Sequence, residues 1–249
     1  MTYCVGILVR DGLVMIADTR TNAGLDNIAT FRKLKVFEKP GDRAIGIATA
    51  GNLAVSQSVV SLITEGCDNP ETGEKETIMT VPSMFAAAHL VGRAIREVHR
   101  VDGPALEQAQ GSFDVSILLG GQVRNSGMRL FMLYSAGNFI EATADTPYLQ
   151  IGEHKYGKPI LDRSITEQSD IYDALKLGLI SMDSTMRSNL SVGMPIDLCV
   201  IRRNALSVEV NYRIDAAEPY FHDLRERWSA ALRAAHLAIP TPPYRSKMS

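Results

Sequence analysis

A threonine at position 2, an aspartate at position 18 and a lysine at position 33 are spaced so that short strands would bring them together. Once Met1 is removed, Thr2 carries both a hydroxyl and a free α-amine. Such an amine titrates at about 7.7–8.0, so it can take the hydroxyl proton and serve as the nucleophile's own base. Removal of Met1 is a requirement, because an acylated nitrogen is not a base. Threonine is small enough that methionine removal is expected without a propeptide. The apolar run Thr2–Val9 starts with no leader, so an ordered strand is expected at the N-terminus itself, where chains ordinarily fray. A Met-Thr start is also common, and by itself it signals nothing.

The elements around these residues decide whether they can meet. Arg10-Asp11-Gly12 is a tight-turn signal, and Leu13–Ala17 is a second strand running into Asp18. In an antiparallel hairpin of this length the start of one strand lies beside the end of the other, which places Asp18 near Thr2. A polar loop is expected from Thr19 to Thr30. Lys33 opens a third strand, Leu34–Glu38, which turns at Lys39-Pro40-Gly41-Asp42 into a fourth, Arg43–Thr49, so that the first fifty residues read as a meander. Asp18 would hold Lys33, and the lysine charge would lower the pKa of neighbouring groups and help activate Thr2. From spacing alone the same pair reads more readily as a surface ion pair at a strand end, which is common and worth little.

Ala50-Gly51-Asn52 breaks the strand pattern and opens a helix from Leu53 to about Glu65. A polar connector, Asp68–Lys75, precedes a longer helix, Val81–Val101, stopped by Gly103-Pro104. Strands follow at Phe113–Gly120, Met128–Ser135 and Phe139–Ala142, then helices at Tyr156–Ile165 and Asp170–Ser184. Strands Ile196–Arg202 and Ser207–Ile214 lead to a helix, Tyr220–Ala238, and a Pro-rich tail, 239–249. Helices inserted between blocks of antiparallel strands suggest two sheets packed face to face with helices outside. No linker divides the chain, so one domain over 1–249 is expected.

Composition excludes several classes. With 249 residues, 45% hydrophobic, 22% charged and a net charge of −2, the chain can build one sizeable core and has no electrostatic pull toward nucleic acid or an anionic membrane. No apolar run approaches the ~20 residues of a membrane span. Cys4, Cys67 and Cys199 form no CxxC, so neither a disulfide framework nor a zinc site is signalled, and a reducing cytoplasm suits them. Cys4, inside a strand, reads as a buried thiol rather than a nucleophile. His89 and His99 lack metal-spaced partners and read as packing or solvated residues; His154 stands near a candidate site edge. No phosphate-loop pattern is present, so neither cofactor nor metal is expected. The stripe Leu224, Trp228, Ala231, Leu232, Ala235 has the spacing of a core face or an interface.

Taken together, Thr2, the strand-ending "IAD" with Asp18, "RTNAG", "FRKLKVF" with Lys33 and the strand–"TAGN"–helix junction resemble the proteasome β-subunit family of N-terminal-nucleophile hydrolases. Within it, residues 2–34 look most like the bacterial homologues called Anbu, relatives of HslV. The resemblance implies an α+β, four-layer αββα sandwich. It also implies a threonine-type peptidase that works as a self-compartmentalised homo-oligomer, a ring or an open spiral. Peptides or proteins would be the substrates. Partner rings or unfolding ATPases belong to the family pattern, and no residue here identifies such a regulator.

Carried over residue by residue, the resemblance implies Thr2 as nucleophile, Asp18 as orienting carboxylate and Lys33 as activating cation. Lys33 lies one residue closer to Thr2 than the family spacing, and Phe31, Leu34 and Phe37 align to select it over Lys35. Gly51 would offer its N–H to the oxyanion, next to a helix N-terminus. Two stretches depart from the family. Ile151-Gly152-Glu153-His154 stands where a Gly-Ser-Gly segment is usual, so Glu153 replaces a supporting serine. Ser188-Asn189-Leu190-Ser191-Val192-Gly193 stands for Asp-x-x-Ser-Gly-Gly, with Ser191 in the serine role and Ser188 in place of the aspartate. These departures keep two alternatives open: an amidase acting on small or unusual amide bonds, and a catalytically weak self-assembling scaffold.

Overall fold

Strands β1 (Tyr3–Val9) and β2 (Gly12–Asp18) are buried almost without interruption, so both of their faces are covered. That is why they read as continuous apolar runs rather than as an alternation. The computed structural model describes residues 1–22, 28–70 and 72–244. Next along the chain come β3 (Arg20–Asn22), β4 (Ile28–Thr30), β5 (Leu34–Lys39), β6 (Arg43–Gly51), α1 (Leu53–Glu65), β7 (Cys67–Asp68), β8 (Lys75–Glu76) and α2 (Met84–Gln108). The second half supplies β9 (Val115–Val123), β10 (Arg129–Leu133), β11 (Phe139–Glu141), β12 (Tyr148–Gly152), α3 (Lys158–Ser164), α4 (Ile171–Ser188), β13 (Ile196–Arg202), β14 (Val208–Ile214) and α5 (Pro219–Ala238). By internal contacts the chain divides into one compact unit spanning 1–216 and a second from 217 onward.

Within the first unit two antiparallel five-stranded sheets face each other. Their orders are β12-β1-β2-β13-β14 and β11-β10-β9-β6-β5. One core lies between them, where Cys4, Leu13, Met15 and Cys199 of the first sheet meet Ala44, Ala48, Leu118 and Leu130 of the second. A second core lies on the outer face of the second sheet, where Ile45, Ile47, Ile117 and Leu119 pack under Val55, Val59, Leu90 and Ile95 of α1 and α2. On the outer face of the first sheet, Gly178 of α4 approaches so closely that an added Cβ would stand 2.7 Å from Ile16 Cδ1. The layering is therefore αββα, as the resemblance implied.

Inter-sheet packing also explains small residues in mid-strand. A Cβ on Gly6 would come within 2.8 Å of Leu130, one on Gly120 within 2.7 Å of Leu13, and one on Gly46 within 2.6 Å of Met15 Sδ. Large side chains from one sheet fill the room left by glycines in the other.

Several sequence readings are corrected. The first four long strands are not one meander: β1 and β2 pair in one sheet, while β5 and β6 pair in the other. Strand-forming composition is the same in both cases, and only packing decides which sheet a hairpin joins. The expected loop Thr19–Thr30 instead contains the β3/β4 ribbon, with Arg20 opposite Thr30; positions 23–27 of it lie outside the described residues. The connector after α1 likewise holds the small β7/β8 ribbon. Helix α2 runs through Gly103-Pro104 to Gln108, because the carbonyl that Pro104 leaves without a donor belongs to exposed Arg100, where water can serve it. Strand β12 was not expected, yet it forms the edge that pairs with β1 from Tyr3↔Gly152 to Ile7↔Tyr148.

His89 stacks edge-on against Phe85 and Phe139, and His99 against Phe113, as packing residues do. Cys4 and Cys199 are fully buried, and burial pushes the Cys199 thiol up to about 12. In the second unit, Leu224 of the apolar stripe is buried whereas Leu232 is 52% exposed, so the stripe is not a core face along its whole length.

Leu130 spans the two sheets with no exposure. Leu130→Ala should lower the unfolding free energy by about 2–5 kcal/mol, read as a shifted urea midpoint with unchanged slope.

Candidate active site

The hairpin does what its length predicts. Register places Cys4 opposite Ala17, so Thr2 and Tyr3 lie beside the end of β2 at Asp18. Thr2 is 8% exposed, Asp18 is fully buried and Lys33 is 5% exposed. Lys33 Nζ donates to Asp18 Oδ1 at 2.8 Å and to the Arg20 carbonyl at 2.6 Å. Lys35, by contrast, is an exposed residue of β5. Lys33 is therefore the lysine that Asp18 holds, and the pair is not a surface ion pair.

Asp18 has further partners that sequence reasoning missed. The N–H of Tyr3 donates to Oδ1 at 3.0 Å and that of Gly193 to Oδ2 at 3.3 Å. Burial pushes the Asp18 carboxyl above the usual carboxylate range, while Lys33 and these two N–H groups pull it back. Tyr3 itself is locked in place, since its hydroxyl lies 2.6 Å from Ser181 Oγ and accepts from Gln150 at 2.5 Å. The residue after the candidate nucleophile therefore cannot rotate freely.

Gly51 closes β6 with φ +102°, and a Cβ there would fall 2.2 Å from the Asp114 carbonyl oxygen. Only glycine fits such a conformation. Asn52 then caps α1, its Oδ1 accepting from Ala54 N and Val55 N. Gly152 has φ +79°, and a Cβ on it would lie 2.0 Å from the Thr2 carbonyl oxygen. This close approach lets Glu153 N donate to Thr2 O at 2.7 Å.

A cavity of about 900 Å³ opens over these residues and is lined by Thr2, Lys33, Gly51 and Glu153 together with Met1 and Thr21. Thr21 Oγ1 is buried without a protein partner. The loop after α4 is tied to the segment that follows Asp18. Arg20 Nη1 donates to the Leu190 carbonyl at 2.8 Å, and Thr19 Oγ1 to the Pro195 carbonyl at 2.6 Å. Ser191 is half-buried in this loop, with its N–H on Asn189 Oδ1 at 2.9 Å. Ser188 is exposed at the end of α4. Asn189 Nδ2 reaches Glu153 Oε2 at 3.2 Å. Asn189 lies inside the stretch that the sequence singled out, but no residue-type signal separated it from its neighbours. His154 is exposed, with Nδ1 3.2 Å from the Gly152 carbonyl oxygen. Among the described residues, no group of His, Cys, Asp and Glu side chains is arranged to hold a metal.

The sequence matches the Proteasome family, described as Proteasome subunit, over residues 2–201. The chain belongs to the proteasome subunit family. Among solved structures it is similar to Anbu (ancestral beta-subunit) from Yersinia bercovieri, with 45% identity and a TM-score of 0.87 over 98% of this chain and 100% of that one. It is similar also to Anbu from Pseudomonas aeruginosa, solved as a helical assembly, with 44% identity, a TM-score of 0.89 and coverage of 99% and 100%. A more distant relative is the proteasome subunit beta of Haloquadratum walsbyi, 24% identical over 209 residues, which are 83% of this chain and 76% of that protein. Likeness to Anbu therefore continues past residue 201, where the match to the proteasome subunit family ends.

Lys33→Met would leave Asp18 buried without its counter-charge, and should lower stability by about 3–5 kcal/mol in chemical denaturation. Lys35→Met, at an exposed position, should stay within about 0.5 kcal/mol. Equal losses in the two variants would contradict the assignment of Lys33.

Proposed function

We propose that this proteasome-family chain is a threonine peptidase acting through Thr2 after removal of Met1. The observation that carries the reading is a nearly buried Thr2 lining a cavity beside a buried Asp18–Lys33 pair. A bare ion pair at a strand end would have no reason to be buried under a cavity that the chain's second residue lines.

In this reading the Thr2 α-amine takes the Oγ proton as Oγ bonds to the scissile carbonyl carbon. The Gly51 N–H stabilises the oxyanion, and the amine passes its proton to the departing nitrogen as the C–N bond breaks. Water then adds to the ester and releases the acid, restoring Thr2. Asp18 fixes Lys33, whose charge favours the developing alkoxide. Glu153 lines the cavity, Ser191 is half-buried in the loop after α4, and Ser188 is too exposed to be a close member of the set. No cofactor enters the scheme. The chain would act in the cytoplasm on peptide or protein substrates as a homo-oligomer. Support for self-association comes from the helical assembly of the Pseudomonas aeruginosa Anbu.

Intact mass after treatment with a peptide epoxyketone tests the nucleophile: loss of Met1 and one adduct on Thr2 are expected. Thr2→Ala should take no adduct and reduce peptide hydrolysis by about 10³-fold or more. Undiminished hydrolysis by that variant ends the proposal, and turnover of small amides alone would favour an amidase. Retained Met1 with no adduct would favour the scaffold. Sedimentation should give a particle several times the chain mass; a monomer at micromolar concentration would remove the compartment.

A further inference from the structure

Glu153 occupies a position that the peptidase scheme does not need for proton transfer, yet its backbone and its carboxylate are each held beside the first two residues of the chain. It follows Gly152, the residue opposite Tyr3, and its N–H donates to the Thr2 carbonyl at 2.7 Å. Thr2 and Glu153 also line the same cavity. The carboxylate is also held from the far side, since Asn189 Nδ2 donates to Oε2 at 3.2 Å and touches Met1 Sδ at 3.9 Å. The orientation of that amide is set by its other end, because Asn189 Oδ1 accepts the Ser191 N–H at 2.9 Å. The Glu153 carboxylate therefore stands on the Met1 side of Thr2, where removal of Met1 would leave a free α-ammonium.

We propose that Glu153, oriented by Asn189, is the charge partner of the Thr2 α-ammonium exposed when Met1 is removed. Asn189 is a positioning residue acting through Glu153. The inference rests on the peptidase reading for its functional meaning, but the ion pair itself does not require turnover.

The other charges around Thr2 are already committed. Asp18 and Lys33 neutralise each other at 2.8 Å, and Arg20 is bound to the Leu190 carbonyl. Cys4, on the same strand, is a buried thiol whose pKa is raised by burial, so it stays neutral. His154 is exposed and points to the Gly152 carbonyl. Asp114 lines the cavity and is exposed, so water screens it. Between residues 189 and 193 there is no ionisable side chain. Glu153 is thus the carboxylate that biases the amine.

The sign follows from the charge. A neighbouring carboxylate favours the protonated amine, which raises its pKa and lowers the fraction of free base near neutral pH. The nucleophile would be restrained at pH 7 and released as pH rises. Glu153→Gln keeps the hydrogen-bonding shape, removes the charge and should move the acid limb of the pH–rate profile downward.

The test uses the full chain with Thr2 generated as N-terminus by cleavage of a fusion, so that methionine processing plays no part. The pKa of the α-amine is read from the pH dependence of its reductive dimethylation. Glu153→Gln should lower that pKa by about one unit, making labelling at pH 7 about tenfold faster. Asn189→Ala should give a smaller shift in the same direction. In the wild-type protein, carbodiimide should join the Glu153 carboxylate to the Thr2 amine with loss of one water, a result that needs no variant to fold. Equal amine pKa values with and without Glu153, or no such crosslink, overturn the inference. A shifted amine in a protein that hydrolyses nothing keeps the ion pair and sinks only the peptidase; turnover with an unshifted amine does the reverse.

Discussion

The ion pair of Asp18 and Lys33 is the interaction on which the rest of the site depends. Two charges this deeply buried cost several kcal/mol each to desolvate, and close, well-hydrogen-bonded geometry is needed to offset that. Here the geometry comes from five separate segments: the end of β2, the lysine before β5, the N–H of Tyr3, the N–H of Gly193 and the carbonyl of Arg20. None of these can shift without leaving a buried charge under-satisfied. The pair thus locks the start of β1, where Thr2 stands, to the loop after α4 and to the crossing between the two sheets. A requirement that began as electrostatics becomes the positional precision of the N-terminus.

That precision needs a rigid surround, which the four-layer packing provides. The strand carrying Thr2 is flanked by β2 on one side and β12 on the other, and a sheet and a helix layer cover its two faces. Glycine at 152 lets the β12 backbone close against Thr2, and glycine at 51 lets the end of β6 turn into α1 against Asp114. Both positive-φ positions face the cavity. The site is therefore bounded by backbone as much as by side chains, which suits chemistry performed by a terminal residue and a main-chain N–H.

Much of this was legible in the residues. The Thr2–Asp18 proximity followed from hairpin length alone, because antiparallel register ties the two ends together. The strand-to-helix break at Gly51-Asn52 and the pairing of Lys33 with Asp18 also came through. What did not come through shares one cause. The partition of β1/β2 and β5/β6 into different sheets, the β3/β4 ribbon within Thr19–Thr30 and the edge strand Tyr148–Gly152 are all matters of which backbone pairs with which. Local composition carries little of that information, since an apolar run is equally content beside any partner strand.

Sequence by itself determined the pairing of Asp18 with Lys33 near the chain start, the close-approach glycine at 51, and membership in a family whose fold is an αββα sandwich. Tertiary structure alone decided the burial of the Asp18–Lys33 pair, the N–H donors of Tyr3 and Gly193, and the reach of Asn189 to Glu153 across 36 positions of sequence. The physical reason is distance along the chain. Local periodicity and turn chemistry act over a few residues, whereas a buried charge is satisfied by whatever groups packing brings to it from far away.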